Sequence, residues 1–71
     1  MNLKHLDKIA KKYDLSDADD RANFRGEVKE AHKPTKMAAI NEWLGTNHKN
    51  REEAVRALAD KYIAQNQSSN F

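Results

Sequence analysis

Cysteine is absent from this chain, so neither a disulfide nor a thiolate metal site can supplement its core. Glycine occurs twice and proline once, which excludes a glycine-rich phosphate loop and a proline-rich linker. No apolar run approaches the roughly 18 residues that a membrane span requires. The opening residues, with Lys4 and His5 followed by Asp7 and Lys8, lack the apolar centre of a signal peptide. A cytoplasmic protein with no membrane partner is the expectation. His5, His32 and His48 are scattered without helical pairing, so no metal site or cofactor is predicted.

What the chain does contain is charge. Charged residues make up 34% of it, and a mean hydropathy of −1.04 brings it near the composition of disordered segments. The apolar residues nevertheless recur at helical spacing, and that favours folding. With 71 residues there is room for one small domain. Its core should supply a net stability on the order of 3–5 kcal/mol. Self-association into a homodimer is one way such a domain gains more.

The punctuation predicts an all-α, single-domain bundle of about four short helices over residues 1–66, followed by a flexible tail at 67–71. Asn2 caps a first helix running to about Asp14, with Leu3, Leu6, Ile9, Ala10 and Tyr13 on one stripe. Ser16 is the expected N-cap of a second helix, with Asp19 at its N3 position, continuing to Ala31 ahead of Pro34. Its stripe is thin, consisting of Phe24, Val28 and Ala31, and Gly26 weakens it. Thr35 caps a third helix over 36–44, which Gly45 ends. Asn50 caps a fourth over 51–65, with Glu53 at N3 and Ala54, Val55, Leu58, Tyr62 and Ile63 inward.

The charge is unevenly spread. Residues 1–13 hold Lys4, Lys8, Lys11 and Lys12 against Asp7, for a net +3. Residues 14–20 hold four aspartates and no cation, and residues 21–36 return to +3. On an ideal helix the four lysines span a sector of about 100° opposite the apolar stripe. Arg21, Arg25, Lys29 and Lys33 follow one another at four-residue intervals and lie along one edge of the second helix. Two basic edges suit phosphate oxygens, which accept charge-assisted hydrogen bonds from lysine and arginine. The plainer account is a solvated face in which Asp17 pairs with Arg21.

Other features point to less. Residues 36–64 have the outline of a helix-turn-helix, but the connection is too long, and Glu52 and Glu53 stand where phosphate contacts are needed. A plain helical hairpin is expected there. The aspartate run fails as a calcium loop, because Ala22 and Val28 stand where glycine and glutamate are required. Trp43 lies toward the edge of its helical stripe, either as core or as an interface anchor. No nucleophile with an adjacent base is visible, and so small a chain leaves little room for a water-excluding pocket, so no enzyme is expected.

The leading expectation is therefore a non-enzymatic binding protein, nucleic-acid-associated or regulatory, that holds a DNA or RNA backbone. Lys4, Lys8, Lys11, Lys12, Arg21, Arg25, Lys29 and Lys33 would make the contacts. The alternative is a protein-interaction module, an adaptor or inhibitor that docks on a larger protein through Trp43. Attachment of the first helix to an anionic membrane is weaker, since it would withdraw Leu3, Leu6 and Ile9 from a core that has few such residues.

Overall fold

A computed structural model describes the backbone of residues 3–68 and the side chains of residues 3–66. A single 3-10 turn, Lys4–Leu6, leads into α1, Asp7–Ala10. The longer helices α2, Ala18–Ala31, α3, Met37–Leu44, and α4, Arg51–Ser68, follow. No strand occurs among the described residues. The fold is thus the small all-α domain that the periodicity predicts. Its radius of gyration, 11.6 Å, is close to the roughly 11 Å of a compact chain of this length.

The core forms where α4 meets α2 and α3. Phe24 and Val28 of α2, Ile40 of α3, and Ala54, Val55, Leu58, Ala59, Tyr62 and Ile63 of α4 are buried together, with Leu3 and Leu6 closing one side. These are largely the positions the helical spacing selects. Ala31 is the exception: it is exposed, and the neighbouring His32 is buried in its place.

Two expected helix starts move, each for a local reason. Ser16 does not cap α2, because its hydroxyl donates to Asp14 Oδ1 at 2.5 Å. Asp17 takes the capping position in an extended conformation and accepts the Asp20 N–H at 3.1 Å. The N3 residue is accordingly Asp20, and its carboxylate accepts the Asp14 N–H at 2.7 Å. Thr35 likewise makes no cap for α3, whose N-cap is Lys36 without a side-chain bond. Asn50 does cap α4, accepting the Glu52 N–H at 2.8 Å. The capping role expected of Asn2 lies outside the described residues.

The first helix departs most from expectation. The spacing predicts an unbroken helix to Asp14, whereas regular helix ends at Ala10 and the chain turns through Lys11 and Lys12. A helix this short cannot sustain itself in water. The turn brings Lys12 and Tyr13 onto one carboxylate: Lys12 Nζ and the Tyr13 hydroxyl donate to Glu27 at 2.5 and 2.6 Å. At the other end, α4 continues to Ser68, past the expected stop and into the segment read as tail.

Gly45 ends α3 in the left-handed region, at φ 68°. The Gly45 N–H donates to the Glu42 carbonyl and the Thr46 N–H to the Asn41 carbonyl, the paired bonds of a Schellman motif. Gly26 is different. It sits exposed inside α2, and a Cβ placed on it meets nothing within 4 Å. Gly26→Ala should therefore stabilise the protein by about 0.5–1 kcal/mol, chiefly by restricting the unfolded chain. A thermal melt checks this: an unchanged or lower Tm contradicts it.

Candidate binding surfaces

The row Arg21, Arg25, Lys29 and Lys33 does not form an outward basic edge. Residues follow each other by about 100° on a helix, so Arg25 flanks the buried Phe24, and Lys29 flanks the buried Val28. Both therefore lie at the boundary with α4. Arg25 Nε pairs with Asp60 at 2.7 Å, and Lys29 Nζ with Glu52 at 2.8 Å. Asp60 also receives Arg56 at 3.9 Å. Lys33 turns back on Glu30 at 2.9 Å. Arg21 is half-buried and donates to the Leu15 carbonyl at 3.1 Å, so the side-chain pairing expected with Asp17 is not made. The middle of the row, Arg25 and Lys29, is an ion-paired seam between α2 and α4.

The electrostatics agree. The hydrogen bond from Lys12, then that from Tyr13, holds the Glu27 carboxyl below its ordinary range. Lys29 does the same for Glu52, and Lys33 for Glu30. The Lys29 ammonium is raised in turn by Glu52. Such carboxylates stay ionised and are poor general acids.

The N-terminal lysines divide. Lys12 is consumed by Glu27. Lys4 is exposed on the 3-10 turn. Lys8 and Lys11 are exposed, three residues apart, and form no ion pair among the described residues. Beside Lys11 opens a cleft of about 610 Å³ lined by Asp7, Tyr13, Asp14, Leu15 and Tyr62. Across it the Tyr62 hydroxyl donates to Asp7, and burial, followed by that bond, raises the Tyr62 phenol above its ordinary value.

Trp43 is half-buried on α3 and packs against the core. Its neighbours there are two histidines that sequence spacing does not connect. The His5 ring centroid lies 5.1 Å from the Trp43 ring and the His32 centroid 6.1 Å from it, the latter edge-on. His5 Nε2 and His32 Nε2 are 3.1 Å apart. His32 is 4% exposed, and its Nδ1 lies 2.8 Å from the Val28 carbonyl. The two histidines stand 27 residues apart in the chain, so only the tertiary fold joins them. No group of three metal-ligating side chains occurs among the described residues.

Asn41 is the other residue that periodicity passes over. Its amide donates to the His48 carbonyl at 2.9 Å, and its Oδ1 accepts the His48 N–H at 2.9 Å and the Thr46 hydroxyl at 3.0 Å. It fastens the α3–α4 loop to α3, so the connection is a pinned hairpin.

Comparison with protein-family models, curated protein sequences and solved structures finds no match to this chain. No helix among the described residues is long and apolar enough to cross a membrane.

Proposed function

We propose that this chain is a small, non-enzymatic binding protein that docks on a larger protein, as an adaptor or inhibitor, with Trp43 as its anchor. The placement of Trp43 carries the reading. It is half-buried near the end of a helix with one charged residue, Glu42, in a chain that is 34% charged as a whole. Met37 and Leu44 on the same helix are also only partly covered. A tryptophan held by the core on one side and open on the other suits a docking hot spot, because its position is fixed before binding.

The test is capture from cell extract treated with nuclease, comparing the wild-type chain with Trp43→Ala. The expected result is a retained protein that resists nuclease and binds the variant about 30-fold more weakly, the effect of a hot-spot side chain. Far-UV circular dichroism of Trp43→Ala establishes that the helices persist. Retention that ignores the substitution, or that nuclease abolishes, overturns the reading.

Lys8 and Lys11, which form no ion pair among the described residues, support a second reading, in which the chain holds a nucleic-acid backbone. The ion pairs limit its strength. Eight phosphate contacts would give a slope of about −7 in log K against log salt, whereas two give about −2. A duplex-binding titration across salt concentrations separates these cases. A slope near −7 would show that the α2–α4 pairs open to receive phosphate.

A further inference from the structure

We propose that His5 and His32 form an acid-opened latch that holds the N-terminal turn over Trp43. The functional consequence rests on the docking role of Trp43; the latch itself rests on the geometry of the two rings.

A backbone carbonyl can only accept, so the 2.8 Å contact with Val28 places a proton on His32 Nδ1. The His32 Nε2 lone pair is then the acceptor in the 3.1 Å contact, and His5 Nε2–H is the donor. Neither ring needs a charge in this arrangement: the Val28 carbonyl fixes the His32 tautomer, and His32 then fixes that of His5. One proton can be added at His5 Nδ1 without disturbing the bond. A second can only go to His32 Nε2, and two N–H donors would then face each other at 3.1 Å, beside a residue that is 4% exposed. The doubly charged pair is incompatible with the closed geometry, because a buried charge without a partner is strongly disfavoured.

The surroundings offer no relief. Arg51 of α4 donates to the His32 carbonyl at 3.1 Å. Trp43 of α3 is neutral, and Lys4 and Lys33 are the charged residues adjoining the pair along the chain. Among the described residues no carboxylate hydrogen-bonds to either ring. Burial, with a smaller contribution from His32, also holds the His5 imidazole below its ordinary value of 6.5. A lowered value in the closed form means that the open form binds more protons. The stabilisation is therefore complete above about pH 6.5 and is lost as pH falls through the lowered value.

Opening would release the segment that carries His5 and uncover one side of Trp43. Acid is thus expected to enlarge the docking surface. His5 is exposed on the 3-10 turn but Leu6 of the same turn is fully buried, so opening also withdraws Leu6 from the core, while α2 and α3 keep their packing on α4.

The experiment is a titration of the isolated chain, without partner and in the presence of a chelator, from about pH 7.5 to about pH 5. It follows the emission of Trp43, the sole tryptophan, together with amide exchange. In the wild type, Trp43 emission should shift to the red. Protection of the amides of residues 6–10 should fall by about tenfold per pH unit for each net proton taken up on opening. The amides of α4 should stay protected.

His5→Gln is the discriminating variant, since its amide can donate to neutral His32 or turn to accept from the protonated ring. It should stay closed throughout. Unchanged protection in the wild type overturns the proposal, as does opening of His5→Gln at the same pH. Should the variant not fold, imidazole nitrogen shifts of the wild type decide: at neutral pH His32 must carry its proton on Nδ1 and His5 on Nε2, and the opposite tautomers overturn the latch. Because no partner is present, failure here leaves the Trp43 docking reading standing, and failure of docking leaves the latch standing.

Discussion

Phe24→Ala is expected to destabilise the fold severely. The ring is fully buried, its centroid 5.6 Å from that of Tyr62 on α4 and 6.5 Å from that of Tyr13, which it meets edge-on. It is therefore the point at which α2, α4 and the segment after α1 converge. Truncating a buried phenylalanine to alanine costs about 3–5 kcal/mol, through lost burial and the cavity left behind. Small domains are stabilised by roughly 0.05–0.15 kcal/mol per residue, which for a chain of this length gives about 4–11 kcal/mol. One substitution thus removes between about a quarter and all of it. No disulfide retains the compact state, and the ion pairs on the seam are too exposed to compensate. Thermal denaturation followed by circular dichroism should show Tm falling by at least about 12 °C. A fall under about 5 °C would mean that the core relaxes around the vacancy and that Phe24 is not its hub.

The helices that carry their own signals were legible. Gly45 ends α3 in the left-handed conformation and Asn50 caps α4, as their residue types predict. Proline after His32-Lys33 ends α2 where expected. Reading failed where a local signal competed with a distant partner. Tyr13 continues the apolar stripe of α1, yet its hydroxyl and Lys12 both reach Glu27, fourteen and fifteen residues away in the chain. That pairing favours a turn over another turn of helix.

The basic edge of α2 departs from expectation for a related reason. Periodicity places Arg25 and Lys29 on one edge of α2, but it cannot say that α4 lies against that edge with Asp60 and Glu52 in register. The acidic partners, Glu52 and Asp60, stand on the outer row of α4, with Arg56 between them. They are eight residues apart, two steps of the four-residue basic row, and a row of that period carrying carboxylates is the sequence signal for pairing the two helices. The His5–His32 contact had no comparable sign, since a single buried histidine at the end of a helix looks the same in sequence as an exposed one.

Leu6→Ala should detach the N-terminal segment while leaving the rest folded. Leu6 is fully buried and, with Leu3 at 4% exposure, provides the main anchor of the segment; Ile9 and Ala10 are only partly covered. Removing three carbons from such a site costs about 2–5 kcal/mol. α1 packs chiefly on α2, whereas α2 and α3 each pack on α4, so the three longer helices keep their mutual contacts when α1 leaves. The polar ties that remain, Tyr13 and Lys12 to Glu27 and Tyr62 to Asp7, lie on partly exposed groups and cannot replace the lost burial. Hydrogen exchange should therefore show residues 6–13 exchanging close to unprotected rates, with α4 still protected and only a small loss of helical signal. Trp43 emission in this variant should already be red-shifted at neutral pH, because His5 leaves with its neighbour. Uniform loss of protection along the whole chain would instead show that the segment belongs to the same cooperative unit as the core, and that uncovering Trp43 requires global unfolding.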